Sequence, residues 1–320
     1  MAYRKKLIVL LSLIVILALT YTASLIFDPH RSGTRSASYL WLDPNVASRA
    51  GRIVINTAGE TKEFFKIDNQ WFILHNDREY PVRQLRIDDL IGVFTQRAAW
   101  PVRSSSASSH ERFGLDAETA ARITIYGENI TLIDLLIGDE DNTGREIYMR
   151  RFGQNEVRSG GGLLASYIGS SVSSWYNLRL IPESEDGTIT VDGVQRLLIY
   201  NENESPITAR QSFSRRNREW VVSGFDIINP DQSVINSYVR SVLNIEGDDF
   251  IDYISANDPM FNHSRIVFEL GNGAIKTVRL SESDESGRRY ANVSGSNYIY
   301  SLASWTAQRL FRNAADFEMQ

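Results

Sequence analysis

Residues 71–94, WFILHNDREYPVRQLRIDDLIGVF, and residues 220–243, WVVSGFDIINPDQSVINSYVRSVL, decide the reading of this chain. Written one beneath the other they align without a gap at a spacing of 149 residues. That spacing pairs Trp71 with Trp220, Pro81 with Pro230, Leu85 with Val234, Leu90 with Val239 and Phe94 with Leu243. In each stretch an aromatic strand leads through a proline into apolar residues at helical spacing. Further on the spacing shortens to 143, pairing Arg122-Ile123 with Arg265-Ile266, Asp141 with Asp284, Gly144 with Gly287, Arg145 with Arg288, and Val157 with Tyr300. A register held across strand, helix and hairpin marks an internal duplication. With two copies the chain is a tandem pair and not a solenoid.

Outward from these stretches, short apolar runs separated by turn residues predict strands at 52–56, 64–67, 70–74, 122–126, 130–137, 146–151 and 156–158 in the first copy. Helices are expected at 85–98 and 163–175, the second entered through Gly160-Gly161-Gly162, read as a hinge, and 104–109 reads as a polar loop. The second copy predicts strands at 195–200, 208–213, 219–222, 265–270, 276–280, 289–293 and 298–300. Its helices are expected at 231–244, with Asp231 as N-cap, and at 302–311.

Before the copies lies an uncharged, proline-free run from Leu7 to Phe27, 21 residues preceded by Arg4, Lys5 and Lys6. As a helix it would reach about 31 Å, against a bilayer core of about 30 Å. It is read as a single transmembrane helix, with a cleaved signal peptide and a buried core helix as the other readings. The basic residues before it place residues 1–6 in the cytoplasm and the C-terminal bulk on the periplasmic side of the cytoplasmic membrane. Residues 28–50 read as a stalk, interrupted by Tyr39-Leu40-Trp41-Leu42, which either dock on the first copy or lie at the membrane interface. The expected fold class is thus α+β: one N-terminal transmembrane helix, then two tandem repeats of mainly antiparallel sheet with packed helices, over 51–182 and 188–320.

Composition limits the function classes. The 320 residues carry 34 Lys+Arg against 39 Asp+Glu, a net charge of −5, with no basic run beyond the N-terminus, which argues against nucleic acid as a partner. Of the 34 basic residues only 5 are lysine, leaving Lys62, Lys66 and Lys276 after the apolar run. Hydrophobic content of 42% supports packed cores. Zero cysteine excludes disulfides, thiolate metal sites and a cysteine nucleophile.

The pattern also has a resemblance. It rests on Trp71, Pro81, Phe113-Gly114-Leu115-Asp116, Ile137-Gly138, and Gly144 with Tyr148, and in the second copy on Trp220, Pro230, and Gly287 with Tyr290. These motifs, behind one apolar span, resemble the membrane-anchored, internally duplicated domain-of-unknown-function family found beside gliding-motility-type ABC transporter genes. The second copy departs from the pattern, with Asn257-Asp258-Pro259-Met260-Phe261 for the Gly-Leu-Asp element and Leu280-Ser281 for Ile-Gly. The resemblance implies an accessory role near a transporter and brings no catalytic residues with it.

The residues offer few sites for chemistry. Asp139-Glu140-Asp141-Asn142-Thr143-Gly144 spaces oxygen ligands like the start of a calcium loop, but the twelfth position from Asp139 is Arg150 and not a bidentate glutamate. A solvated hairpin turn is the expected reading, as for Glu282-Ser283-Asp284-Glu285-Ser286-Gly287. His30, His75, His110 and His263 lack metal-ligand spacing. No Walker A, G-x-S-x-G, S-x-x-K or H-E-x-x-H sequence occurs, so the chain is not itself a nucleotide-binding ATPase. Asp88-Asp89 and Asp248-Asp249 with Asp252 could be read as paired carboxylates, and Trp71 and Trp220 as sugar platforms; solvated faces and core packing are the expected readings. Sequons at Asn129, Asn203, Asn262 and Asn292 fit chance in an Asn- and Ser-rich chain.

No catalytic, cofactor-binding or metal residue is therefore assigned, and no enzyme activity is expected. The expected function is a non-catalytic, membrane-anchored accessory or scaffold subunit of an ABC-type transport or gliding-like envelope assembly, meeting a permease or another anchored subunit through protein contacts. The alternatives are an extracytoplasmic ligand-binding module for envelope glycan or a transported substrate and, less favoured, an envelope hydrolase.

Overall fold

The computed structural model describes residues 38–128, 130–181, 189–200, 209–216, 219–223, 229–262, 264–310 and 314–318, together with Leu17. They form two compact units, the first ending at Trp175 and the second beginning at Tyr176.

The first unit contains β1 (Ser38–Tyr39), β2 (Ala50–Asn56), β3 (Thr61–Ile67), β4 (Gln70–His75), β5 (Arg78–Pro81), β6 (Ala98–Ala99), β7 (Val102–Ser104), β8 (Ala121–Gly127), β9 (Ile130–Glu140), β10 (Glu146–Arg151) and β11 (Val157–Gly161). Nine of them make one antiparallel sheet in the order β5-β4-β3-β2-β8-β9-β10-β11-β7, and β1 pairs with β6. Local chemistry sets the first hairpins. Asp68-Asn69 and Asn76-Asp77 all take positive φ, between 45° and 66°. Two-residue turns of that kind match the right-handed twist of the strands they join, and Asn and Asp tolerate the conformation best among residues with a Cβ. Alternation then buries Phe64, Trp71 and Ile73, and the helix Gln84–Thr95 lays Ile87, Leu90 and Phe94 into the core.

The second unit contains β12 (Val194–Tyr200), β13 (Ala209–Arg216), β14 (Glu219–Ser223), β15 (Asp249–Phe250), β16 (Ser264–Leu270), β17 (Ile275–Leu280), β18 (Arg289–Val293) and β19 (Ile299–Leu302). Their order, β14-β13-β12-β16-β17-β18-β19-β15, is that of β4-β3-β2-β8-β9-β10-β11-β7. The pairing repeats residue by residue: Lys66 faces Trp71 as Arg215 faces Trp220, and Ile123 faces Leu135 as Ile266 faces Val278. The helix Gln232–Leu243 is capped by Asp231, whose carboxylate accepts from the Ser233 and Val234 amides at 2.8 and 3.1 Å. It buries Ile235, Tyr238, Val239, Val242 and Leu243.

The expected α+β class is corrected by this architecture. Antiparallel sheet dominates the described residues, and helix contributes two 12-residue elements, with no other described helix longer than five. The helix expected at 163–175 is only Leu164–Ile168 followed by a 3₁₀ turn, Val172–Trp175. Gly169 caps the first piece, and the side chains of Ser170, Ser171 and Ser174 bond within the intervening turn, the serine habit that competes with helix. The helix expected at 302–311 shrinks to Ser304–Gln308, because Leu302 ends β19. The transmembrane part of the expected class is unsupported as well: among the described residues no helix is long and apolar enough to cross a membrane. The run 7–27 lies outside the described residues except for Leu17.

Other expectations shift. Asn76-Asp77 and the strands β5, β7 and β15 were not foreseen; the last two are of three and two residues and carry no readable period. Part of the expected stalk belongs to the first unit, since Trp41 and Leu42 are buried and the Leu42 amide donates to the Phe94 carbonyl at 3.0 Å. Leu85, expected on the apolar face of its helix, is exposed, and Ile87 takes the inward position.

Candidate functional site

Phe113, Gly114, Leu115, Gly138 and Tyr148, five of the motif residues of the first copy, converge on one node. Phe113 ends a 3₁₀ turn (Glu111–Phe113), Gly114 follows in the left-handed region at φ 64°, and Leu115 drops into the core. Gly138 on β9 faces this turn so closely that a Cβ would overlap the Phe113 carbonyl oxygen. A Cβ on Gly114 would stand 2.6 Å from the Asp139 carboxyl carbon. Tyr148 from β10 packs on Phe113 with ring centroids 4.5 Å apart, beside a cluster of Leu115, Leu136 and Val157. Arg150 closes the node from β10. It is buried, and donates Nε and Nη2 to the Leu115 carbonyl at 3.2 and 3.0 Å, and Nη1 to the Gln154 carbonyl at 3.1 Å. Burial lowers its pKa from the ordinary arginine value, yet a guanidinium remains charged.

The second unit rebuilds the node with other residues. Ser281, buried, stands where Gly138 stands in the first copy; its hydroxyl donates to the Glu282 carbonyl at 2.7 Å and accepts from the Tyr290 amide at 2.9 Å. The guanidinium comes from β17: Arg279 Nη2 reaches the Ala256 carbonyl at 3.1 Å and also bonds the Asn292 side chain. Arg279 and Asn292 are cross-strand partners, as Leu136 and Arg150 are. The β9–β10 register shifts between Ile147 and Met149, which accounts for Gly144 and Tyr148 being one residue further apart than Gly287 and Tyr290.

A second polar group ties β7 to the sheet. Ser159, fully buried, donates to Glu146 Oε2 at 2.5 Å and accepts from Arg103 Nε at 2.6 Å, while Arg103 Nη2 bonds the same carboxylate at 2.7 Å. The Ser159 hydrogen bond, followed by Arg103, holds the Glu146 carboxyl below its ordinary range. So weak a base, next to a serine whose oxygen already accepts from a guanidinium, is a structural lock and not a nucleophile pair. The glycines read as a hinge correct that reading: Gly160 and Gly161 lie in β11 with φ of 152° and 57°. A Cβ on Gly160 would come within 2.7 Å of the Trp100 ring, so these positions form a shelf for an indole. Trp41 packs edge-on to Trp100 at 5.4 Å, Arg158 covers Tyr39 at 3.8 Å, and Arg151 donates to the Trp41 carbonyl, so Tyr39-Leu40-Trp41-Leu42 are docked on the first unit.

The residues singled out in the sequence stay apart. In the turn after β9, Asp141 accepts from the Arg145 and Glu146 amides at 2.9 and 3.0 Å and from the Thr143 hydroxyl at 2.8 Å. Those bonds, the Glu146 amide first, lower its pKa. Asp284 repeats the arrangement with the Ser286 hydroxyl and amide and the Arg288 amide, and its pKa is also lowered, the Ser286 hydroxyl foremost. Both carboxylates cap their own turns. Among the described residues no group of three or more His, Asp or Glu is arranged to hold a metal ion. His110 sits between two 3₁₀ turns with Nε2 3.1 Å from the Asn155 carbonyl, and His30 and His263 lie outside the described residues. Asp88 accepts from Gln84, and Asp249 from the Phe250 amide. Trp71 and Trp220 are core residues. Lys62 is buried, donating to the Ile168 carbonyl at 3.1 Å and paired with Glu60 at 2.7 Å. Asn292 is buried with its amide donating to the Ser296 and Tyr298 carbonyls, so that sequon is a core position; Asn129 and Asn203 lie outside the described residues.

Sequence reasoning missed Arg150, Arg103, Ser159 and Gln232. Nothing local announces them: Arg150 stands in EIYMRR beside two other charged residues, Glu146 and Arg151. Fold and node together define a class: a duplicated antiparallel-sheet protein whose shared motifs are joints of the fold. The chain belongs to the domain-of-unknown-function family DUF4340, whose pattern matches residues 71–265, more than half of it. No curated protein matches the chain.

Proposed function

We propose that the chain is a non-catalytic accessory or scaffold subunit that works through protein contacts, beside an ABC-type transport or gliding-like assembly at the extracytoplasmic face of the cytoplasmic membrane. The observation that carries this reading is the fate of the motif residues. Phe113, Gly114, Leu115, Gly138 and Tyr148 pack into one node, and the Arg150 guanidinium beside them holds backbone carbonyls of the same unit. A motif of this kind preserves the shape of a surface. The duplicated strand order supports the same view, since it presents two like surfaces from one chain. The neighbouring transporter is proposed on the family resemblance alone.

Purification of the full chain from detergent extracts tests it. The expected result is co-elution with a permease or another membrane subunit at fixed stoichiometry, kept through a second column. Elution of this chain by itself from extracts that contain such a permease overturns the reading.

A further inference from the structure

We infer that the short helices after β11 and β19 are docking faces for a partner protein's segment that carries carboxylates beside apolar side chains, an inference that rests on the accessory reading above. In the first unit Leu163, at the start of the helix Leu164–Ile168, is 76% exposed. Tyr167 lies one turn on, so it shares a face with Leu163. The Arg86 guanidinium covers Tyr167 at 5.4 Å and Trp175 at 4.5 Å, and Arg86 Nε is buried without an acceptor. In the second unit the helix Ser304–Gln308 holds Trp305 60% exposed, with Arg309 stacked on its ring at 5.0 Å. Trp41, Trp71, Trp100, Trp175 and Trp220 are all buried, so Trp305 alone of the six tryptophans is left to solvent.

β11 and β19 hold the same place in their sheets. At that place each unit reaches the same surface by different means, a leucine beside a tyrosine-stacked arginine and a tryptophan beside its own arginine. Neither Arg86 nor Arg309 meets a carboxylate among the described residues. A guanidinium on an aromatic face can still offer its terminal Nη donors to a carboxylate, while the exposed apolar residue takes an apolar neighbour. Aromatic residues and arginine are the side chains most enriched where proteins bind one another. The complementary occupant is an acidic, amphipathic protein segment.

Trp305 reports occupancy. The purified full chain is titrated with a synthetic leucine–glutamate amphipathic helix, with its lysine-for-glutamate version, and with phosphatidylglycerol vesicles, following tryptophan emission and acrylamide quenching against a Trp305→Phe control. The leucine–glutamate peptide should blue-shift the emission and shield Trp305, the lysine version should not, and Arg309→Glu should weaken binding about tenfold or more. In the first unit, Leu163→Trp in the Trp305→Phe background should report the same behaviour, lost with Arg86→Glu. No shielding by the acidic peptide, equal shielding by the basic one, or shielding by vesicles alone overturns the inference. A full chain that carries Arg86→Glu and Arg309→Glu and still co-elutes undiminished with its membrane partner overturns these faces and leaves the accessory reading standing.

Discussion

The carbonyl oxygen of Phe113 occupies the space that a side chain at Gly138 would need. Two parts of the chain 25 residues apart are therefore one contact, and the glycine is there for close approach and not for unusual backbone angles. Gly138→Ala should destabilise the first unit by about 2–3 kcal/mol, because backbone and not a flexible side chain must yield. Urea unfolding of the full chain followed by tryptophan fluorescence measures it. Gly138→Ser should be no better tolerated, even though Ser281 serves at the matching place in the second unit, where a different loop leaves room for it. Unchanged midpoints for both would show that the Phe113 turn moves freely.

Arg150 holds the Leu115 and Gln154 carbonyls from inside the node. Arg150→Met keeps the stem and removes the donors, and should cost about 2–3 kcal/mol by leaving a buried carbonyl without a charged partner. Because the second unit supplies its guanidinium from the facing strand, the exchange Leu136→Arg with Arg150→Asn should recover part of that loss. Denaturant midpoints of the single and double variants decide it; a double variant worse than Arg150→Met contradicts the equivalence of the two pairs.

Asp141 and Asp284 are held ionised by amides and hydroxyls of their own turns, with folded pKa values below the ordinary one. A depressed carboxylate adds stability that is present above the unfolded pKa and is lost as pH falls through the folded one. Stability should thus be insensitive to these groups near neutrality and should decline below about pH 4. Asp141→Asn with Asp284→Asn should flatten that decline. Urea midpoints between about pH 7 and pH 2.5 measure the slope, and an unchanged acid slope would remove the two turns from the account.

Gln232 bonds both backbone polar groups of Trp220: its Oε1 accepts from the Trp220 amide at 2.7 Å and its Nε2 donates to the Trp220 carbonyl at 3.0 Å. In the first unit backbone does this work, the Val82 amide donating to the Trp71 carbonyl at 2.8 Å. Gln232→Leu should cost about 1–2 kcal/mol and speed hydrogen exchange at Trp220. Protection there equal to the wild type would show that the side-chain amide is dispensable.

Much of the architecture was legible because it is locally encoded. The apolar run along 52–56, the alternation along 265–270, the Asp68-Asn69 turn and the Asp231 cap each follow from neighbours in the chain. The node was legible only in part. Phe113, Gly114 and Gly138 stood out as residues, but nothing in the linear order says that Gly138 lies against Phe113. Helix was overestimated where serines and Gly169 break the 163–175 run and where β19 extends to Leu302, because apolar spacing alone does not distinguish a turn of helix from the end of a strand.

By itself the sequence determined the duplication, the strand periods, the capped helix Gln232–Leu243 and the lack of any thiol chemistry. All of these depend on residue identity and short-range spacing. Only the tertiary structure decided which face each arginine serves. Whether Arg150 or Arg279 anchors a loop depends on cross-strand register, and the register shift between Ile147 and Met149 changes which residue meets which. Closure of Trp100 over Gly160 and Gly161, and the exposure of Leu163 and Trp305, are likewise set by what the folded sheet brings near, at separations over which local pattern carries no information.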